Sequence, residues 1–251
     1  RATDILREIT GLGLARAVRT RSWEPVAVGL LAPALLLALG ARFAAPGGGL
    51  SGEVREAVIV QPNSPARPTF DARVVEADYQ RLIESSRAAC RPDALLLWPE
   101  SAAWPFAWPG DARLARDVGE LAARGCPVLL NTPTEAGGKS FNSVVLVAGD
   151  GVERYDKRHL VPFGEYVPLA GVFSWLDKIA RNAGDFAAAE RLDLLDWRGE
   201  RLGAAICYEV VFPGEVAALA RAGATALVTV TNDSWYGPTA APWQHLAAAR
   251  F

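Results

Sequence analysis

Six short apolar runs, at residues 57–61, 94–98, 127–131, 143–148, 203–207 and 226–231, recur along the chain among longer stretches with helical periodicity. Runs this short are the length of buried strands, so their alternation with helical stretches predicts a layered α/β architecture. Helices are expected at 71–89, where Val75, Leu82 and Ala89 recur on one face, and at 111–123 and 213–221. The stretch Val147-Ala-Gly-Asp-Gly-Val152 carries a hairpin turn, so the sheet is expected to be mixed rather than purely parallel. From Glu53 onward, roughly 200 residues of this pattern suffice to bury a full core. No internal repeat, low-complexity tract or phosphate-binding glycine loop interrupts it.

A different pattern precedes it. Between Glu24 and Arg42 the chain runs 17 residues without a charge, from Pro25 to Ala41. That is the lower edge of the ~17–25 residues that span a bilayer, and Arg42 can snorkel to let the span continue to Ala45. A buried helix of a soluble core and the apolar part of a signal peptide are the rivals. The flank favours a membrane helix, because Arg1, Arg7, Arg16, Arg19 and Arg21 precede the run and basic residues tend to stay in the cytoplasm. We therefore expect a cytoplasmic juxtamembrane segment at 1–25, a transmembrane helix at 26–45 and a glycine-rich linker at 46–52. A catalytic domain at 53–251 would then lie on the outer side.

Composition removes other classes. The chain has 26 basic and 28 acidic residues, which gives no electrostatic case for a nucleic-acid partner. Its two histidines, His159 and His245, have no cysteine or histidine at zinc-ligand spacing, so no metal and no cofactor are expected. Three cysteines are too few and too scattered for a disulfide framework, and Cys90 and Cys126 are expected to be inert core thiols. Methionine is absent, position 1 included, so the chain is expected to be part of a longer protein. Lysine occurs only at 139, 157 and 178, which makes each one worth asking about.

Open α/β sheets tend to place their sites just past the carboxyl ends of strands. Leu95-Leu-Leu-Trp-Pro-Glu100 delivers a carboxylate there, and Gly203-Ala-Ala-Ile-Cys207 delivers a thiol followed by Tyr208 and Glu209. Lys157 sits in the polar cluster Arg154-Tyr-Asp-Lys-Arg-His159. A carboxylate that takes the thiol proton, a thiolate that attacks a carbonyl and an ammonium that steadies the oxyanion together suit acyl transfer through a thioester. Taken singly, each has a plainer reading: a core thiol, a solvated loop glutamate, a charged surface. Spacing alone does not bring the three together.

The wording of the motifs says more. Leu97-Trp-Pro-Glu100, Tyr155-Asp-Lys157, Val161-Pro-Phe-Gly-Glu-Tyr-Val-Pro168, Ile206-Cys-Tyr-Glu209, Thr231-Asn-Asp-Ser-Trp-Tyr-Gly237 and Pro242-Trp-Gln-His245 follow one another in the order found in the nitrilase, or carbon-nitrogen hydrolase, superfamily. More narrowly they resemble its membrane branch, the apolipoprotein N-acyltransferases. The resemblance runs from about Val58 to the end of the chain. It implies a four-layer αββα sandwich preceded by a transmembrane helix, with Glu100, Lys157 and Cys207 as the catalytic triad. Supporting roles fall to Glu165, Tyr208 and Glu209, and Phe163, Trp175 and Trp235 become candidate lid or acyl-chain contacts. The family usually has a tryptophan near position 70, where this chain has Phe70, which keeps a flat apolar ring and loses the indole donor. The family also has further membrane helices on both sides, so the catalytic domain is expected to be truncated at its C-terminus.

The activity implied is transfer of a fatty acyl chain from a membrane phospholipid to the α-amine of a diacylglyceryl-cysteine apolipoprotein, during lipoprotein maturation. Its partners would be that phospholipid, that lipoprotein and the bilayer. Its place would be the bacterial inner membrane, in a multi-pass protein with the catalytic domain on the periplasmic side. Two other readings stay open: a membrane-anchored nitrilase-type amidase that hydrolyses a small amide, and a nitrilase-fold binding module without activity.

Overall fold

The computed structural model describes residues 55–64, 71–149, 151–168 and 185–250, and five helical residues, Leu30, Leu31, Ala34, Leu35 and Ala38. The chain divides into two compact units, Arg1–Val54 and Arg55–Phe251. Among the described residues no helix is long and apolar enough to cross a membrane. Most of the expected transmembrane helix lies outside the described residues, as do the juxtamembrane segment, the linker, Phe70 and Trp175.

The second unit is built on two sheets. Strands β1 (Ala57–Ile59), β2 (Leu95–Leu97), β3 (Val128–Ala136), β4 (Lys139–Ala148) and β5 (Gly151–Asp156) form the first, in that order. The first three run parallel and the last two join antiparallel, with Ala148 opposite Gly151 at the expected hairpin. Strands β6 (Leu195–Trp197), β7 (Glu200–Ile206) and β8 (Ala226–Val230) form the second, β6 antiparallel and β8 parallel to β7. Helices α1 (Ala72–Ala89) and α2 (Ala112–Ala123) belong to the first sheet. Helix α3 (Pro213–Arg221) and helix α4 (Ala241–Ala249) accompany the second.

The period of two along each strand creates the layers. Leu96, Val128, Leu130, Val145 and Val147 point to one face of the first sheet, where Tyr79, Leu82 and Ile83 of α1 and Leu114, Val118 and Leu121 of α2 meet them. Leu95, Leu129, Val144, Leu146 and Tyr155 point to the other, against Leu195, Trp197, Leu202, Ala204, Ile206 and Val230 of the second sheet. Helix α3 closes the far side. There Gly203 is required by space, because a Cβ would meet the side chains of Leu219 and Leu227 at 3.0 Å. The order is helix, sheet, sheet, helix.

The N-caps Asp71 and Asp111 each accept a backbone N–H of the first helical turn, which fixes where α1 and α2 begin. Strand β3 extends past the expected run to include Pro133. Beyond Leu129 the neighbour β2 has ended, so the missing N–H leaves no gap in a ladder. Strands β5 and β6 and helix α4 were not expected from periodicity. The cysteine expectation is corrected: Cys90 and Cys126 are not free core thiols but a disulfide, with Cα atoms 5.7 Å apart. Cys90 leads into β2 and Cys126 into β3, and since these strands are parallel neighbours their leading ends lie side by side. Cys207 is the one free thiol.

Candidate active site

The carboxyl ends of β2, β5, β7 and β8 lie along one edge of the two sheets. The chain delivers Glu100 three residues past β2, Lys157 one past β5, Cys207 one past β7 and Asn232 two past β8. Glu100 and the Cys207 thiol lie near enough to act on one another electrostatically, and the charge of Lys157 bears on both. Glu100 also accepts the backbone N–H of Asn232 at 3.1 Å, which anchors it to the second sheet.

Lys157 is 1% exposed. Its Nζ donates to Glu165 at 2.8 Å, so the ammonium enters the interior as half of an ion pair. Glu165 in turn accepts the backbone N–H of Val161 at 2.8 Å and Nδ2 of Asn142 at 2.6 Å. Asn142 reaches toward Glu100 at 3.5 Å, and its Oδ1 accepts from Asn131 at 2.7 Å. One amide thus links the two carboxylates, the second of which faces the cation. Asn142 was not singled out in the sequence. Its signal is an amide at the head of the continuously buried run of β4.

Electrostatics divide the labour. Burial pushes the Glu100 carboxyl up from the ordinary range and the nearby Glu165 adds to this, while Lys157 and the Asn232 N–H oppose it. Burial, followed by the negative charge of Glu100, pushes the Cys207 thiol up to about 11, against the pull of a Thr231 hydrogen bond and of Lys157. The raised thiol therefore favours its protonated form at neutral pH.

The turn that carries Cys207 is held from below. Cys207 adopts the left-handed conformation, with φ +50°, at the start of a 3-10 turn, Cys207–Val211. Glu209, fully buried, accepts the N–H of Ile206 at 2.8 Å, the N–H groups of Arg158 and His159 at 2.8 and 3.1 Å, and the Tyr155 hydroxyl at 3.0 Å. That carboxylate ties the Cys207 turn to the segment carrying Lys157. Tyr208 packs edge-on against His159 and Phe212, with ring centroids 5.9 and 5.0 Å apart. Phe163, at φ +62°, and Trp235 are 56% and 73% exposed, so neither is a core residue.

Residues 57–251 match the carbon-nitrogen hydrolase family. The chain is 40% identical over 193 residues to the apolipoprotein N-acyltransferase of Geobacter metallireducens, a match that covers 73% of this chain and 36% of that protein. It is 32% identical over 224 residues to the apolipoprotein N-acyltransferase of Chlorobaculum tepidum, covering 76% and 42%. The chain thus spans less than half the length of these curated relatives. Its fold is similar to that of an amidase from Nesterenkonia sp. AN1, with TM-score 0.52 at 20% identity over 81% of this chain and 74% of that one. It is also similar to a carbon-nitrogen hydrolase from Helicobacter pylori G27, with TM-score 0.51 at 16% identity over 78% and 68%. A thiol, a carboxylate and a buried lysine gathered at the edge of a helix–sheet–sheet–helix stack agree with these likenesses, and the chain belongs to the carbon-nitrogen hydrolase, or nitrilase, superfamily, in the membrane branch of the apolipoprotein N-acyltransferases.

Proposed function

We propose that the protein of which this chain is a part moves a fatty acyl chain from a membrane phospholipid to the N-terminal amine of a diacylglyceryl-cysteine lipoprotein, through a thioester on Cys207. The observation that carries the chemistry is a half-buried thiol at the end of β7 whose proton affinity is raised by the nearby carboxylate of Glu100, itself of raised proton affinity, with the charge of buried Lys157 acting on both. In the first stage Glu100 takes the thiol proton and the sulfur attacks the ester carbonyl. Lys157 steadies the oxyanion by charge. The intermediate collapses, the glycerol oxygen leaves with the proton from Glu100, and lysophospholipid departs. In the second stage the lipoprotein amine attacks the thioester and Glu100 takes a proton from the nitrogen. The C–S bond breaks, the proton returns to sulfur, and an amide remains.

Glu165 holds Lys157 and Glu209 holds the nucleophile turn, while Tyr208 lines that turn. Phe163, Trp235 and Trp243 are exposed aromatic side chains, which suits lipid substrates better than a small soluble amide. By resemblance to the family, Phe70 is a further candidate for substrate binding. The Cys90–Cys126 disulfide suits an oxidising compartment and so supports a periplasmic domain at 53–251, tethered through the linker 46–52 to a membrane helix at 26–45.

The reading is tested by reconstituting the full-length protein in phospholipid with a diacylated lipopeptide. Production of triacylated peptide, abolished by Glu100→Gln and by Cys207→Ala, is the expected result. Hydrolysis of a small amide without any transfer to the lipopeptide would refute it.

A further inference from the structure

The segment that follows Lys157 borders a cleft of about 390 Å³, lined by Arg158, His159, Leu160, Tyr166, Phe186 and Ala188. The acyl-transfer scheme uses none of these side chains. Backbone bonds fix the walls: the Phe186 N–H donates to the Glu165 carbonyl at 3.0 Å, and the Ala189 N–H donates to the Lys157 carbonyl at 3.0 Å. The cleft is therefore framed by the same backbone that carries Lys157 and Glu165.

Arg158 is the unusual member. Its side chain is half-buried, yet among the described residues nothing accepts from its guanidinium, and its Nε is closed off from solvent. The half-buried Arg113 and Arg154, by contrast, each hold a carboxylate, at 2.7 and 2.6 Å. The carboxylates nearest Arg158 are committed elsewhere. Glu209 accepts the backbone N–H groups of Arg158 and His159 and the Tyr155 hydroxyl, and Glu215 faces Nδ1 of His159 at 2.9 Å. Withdrawing a charged fork from water without giving it an acceptor is costly, so a fork held this way in a cleft wall suits an anion that arrives with a ligand.

The size and lining of the cleft narrow the choice of anion. At about 390 Å³ it has the volume of a small-ligand pocket, and a free inorganic ion would fill only a small part of it. Leu160, Phe186 and Ala188 are apolar and Tyr166 is apolar except at its hydroxyl, which fits an anion attached to carbon. A planar guanidinium matches two oxygens of a phosphate group. The position fits as well, because the His159 ring packs against Tyr208, the residue after Cys207, with centroids 5.9 Å apart. A glycerophospholipid carries its phosphate only a few bonds from the ester carbonyl, as a phosphate site adjoining the thiol requires.

We propose that this cleft is a subsite for the phosphate of a glycerophospholipid acyl donor, with Arg158 as the residue that selects phosphate-bearing donors over neutral glycerolipids. The assignment rests on the acyl transfer from phospholipid described above.

The probe is a short-chain di-ether analogue of phosphatidylglycerol, whose alkyl chains cannot be transferred, set against the di-ether glycerol that lacks the phosphate. Calorimetric titration of each into the full-length protein in nonionic detergent micelles gives both affinities without any bond being made. The wild type should prefer the phospholipid analogue, and Arg158→Gln should cut that preference about tenfold by weakening the phospholipid analogue alone. Arg158→Lys, which keeps the charge and loses the planar fork, should fall between the two. A merely structural arginine would weaken both lipids together and leave their ratio in place. An unchanged ratio in Arg158→Gln overturns the proposal, and so does a wild type that binds the two lipids equally, a result that needs no variant. Inorganic phosphate that binds as tightly as the phospholipid analogue, with that binding lost in Arg158→Gln, would make free phosphate the ligand and overturn the lipid assignment. Failure to form triacylated peptide, with the ratio and its dependence on Arg158 intact, would sink the acyl transfer and leave the phosphate subsite standing.

Discussion

Replacing Lys157 by methionine keeps the length and apolar stem of the side chain and removes only its charge. The consequences can be worked from the ion pair. Lys157 is buried and Glu165 half-buried, 2.8 Å apart, and stripping one partner from a buried pair costs about 3–5 kcal/mol. Glu165 retains two donors, the Val161 N–H at 2.8 Å and the Asn142 amide at 2.6 Å, so the lower end applies, about 3 kcal/mol. For a domain of this size that lowers the melting temperature by roughly 6–12 °C. The loss also depends on pH. Lys157 is the charge that opposes the raised proton affinity of Glu100, so in the variant Glu100 binds its proton more tightly still. A carboxyl whose folded pKa lies above its unfolded value adds stability at low pH and loses it as pH rises through the folded value. The variant should therefore melt much closer to the wild type at pH ~5 than at pH ~8. Melting in detergent micelles at the two pH values reads both effects. Glu165→Gln in the same background, which removes the stranded charge and keeps an acceptor for Val161, should restore part of the loss. A loss below about 1 kcal/mol, equal at both pH values, would refute the reading of Lys157 as a buried charge serving the site.

Three further outcomes follow from the same geometry. Cys207, pushed to about 11 by burial and by Glu100, contributes stability that is complete below the ordinary thiol range and lost as pH rises through about 11, so the gap in stability between wild type and Cys207→Ala should shift by about 3 kcal/mol over that window. A melting difference that does not change with pH would contradict it. Glu209→Gln sets an amide against the N–H groups of Ile206, Arg158 and His159 and the Tyr155 hydroxyl, and should cost about 3 kcal/mol and slow Cys207 alkylation, both measurable on one sample. Reduction of Cys90–Cys126, which closes a separation of 36 residues, should cost about 4 kcal/mol and raise the count of titratable thiols from one to three.

Much of the site could be read from the sequence because its members sit where strands end. The runs before Glu100 and Cys207 are apolar enough to mark buried strands, and a buried strand that stops at an ionisable side chain marks a place to look. The strands that were missed are those in which burial is partial. Val152 and Glu153 of β5 are exposed, and β6 buries two residues around Asp196. Helix α4 was missed because its alanines carry no period and its one buried side chain is His245. The Cys90–Cys126 bridge depends on β2 and β3 being parallel neighbours, a fact of topology that no spacing of two cysteines contains. Asn142 and His245 escaped for a related reason. Each touches the site through residues far along the chain: Asn142 through Glu100 and Glu165, His245 through the backbone of Cys207.

The central claim is that Cys207 carries an acyl group between two substrates, and the most direct measurement is to look for it there. The full-length protein, incubated with a phospholipid of known acyl composition and digested at mild pH, should yield the Cys207 peptide heavier by one acyl chain of that phospholipid. The adduct should disappear when a diacylated lipopeptide with a free amine is added, and should not form in Glu100→Gln. A Cys207 peptide that stays unmodified while the lipopeptide is acylated at the normal rate would contradict the account.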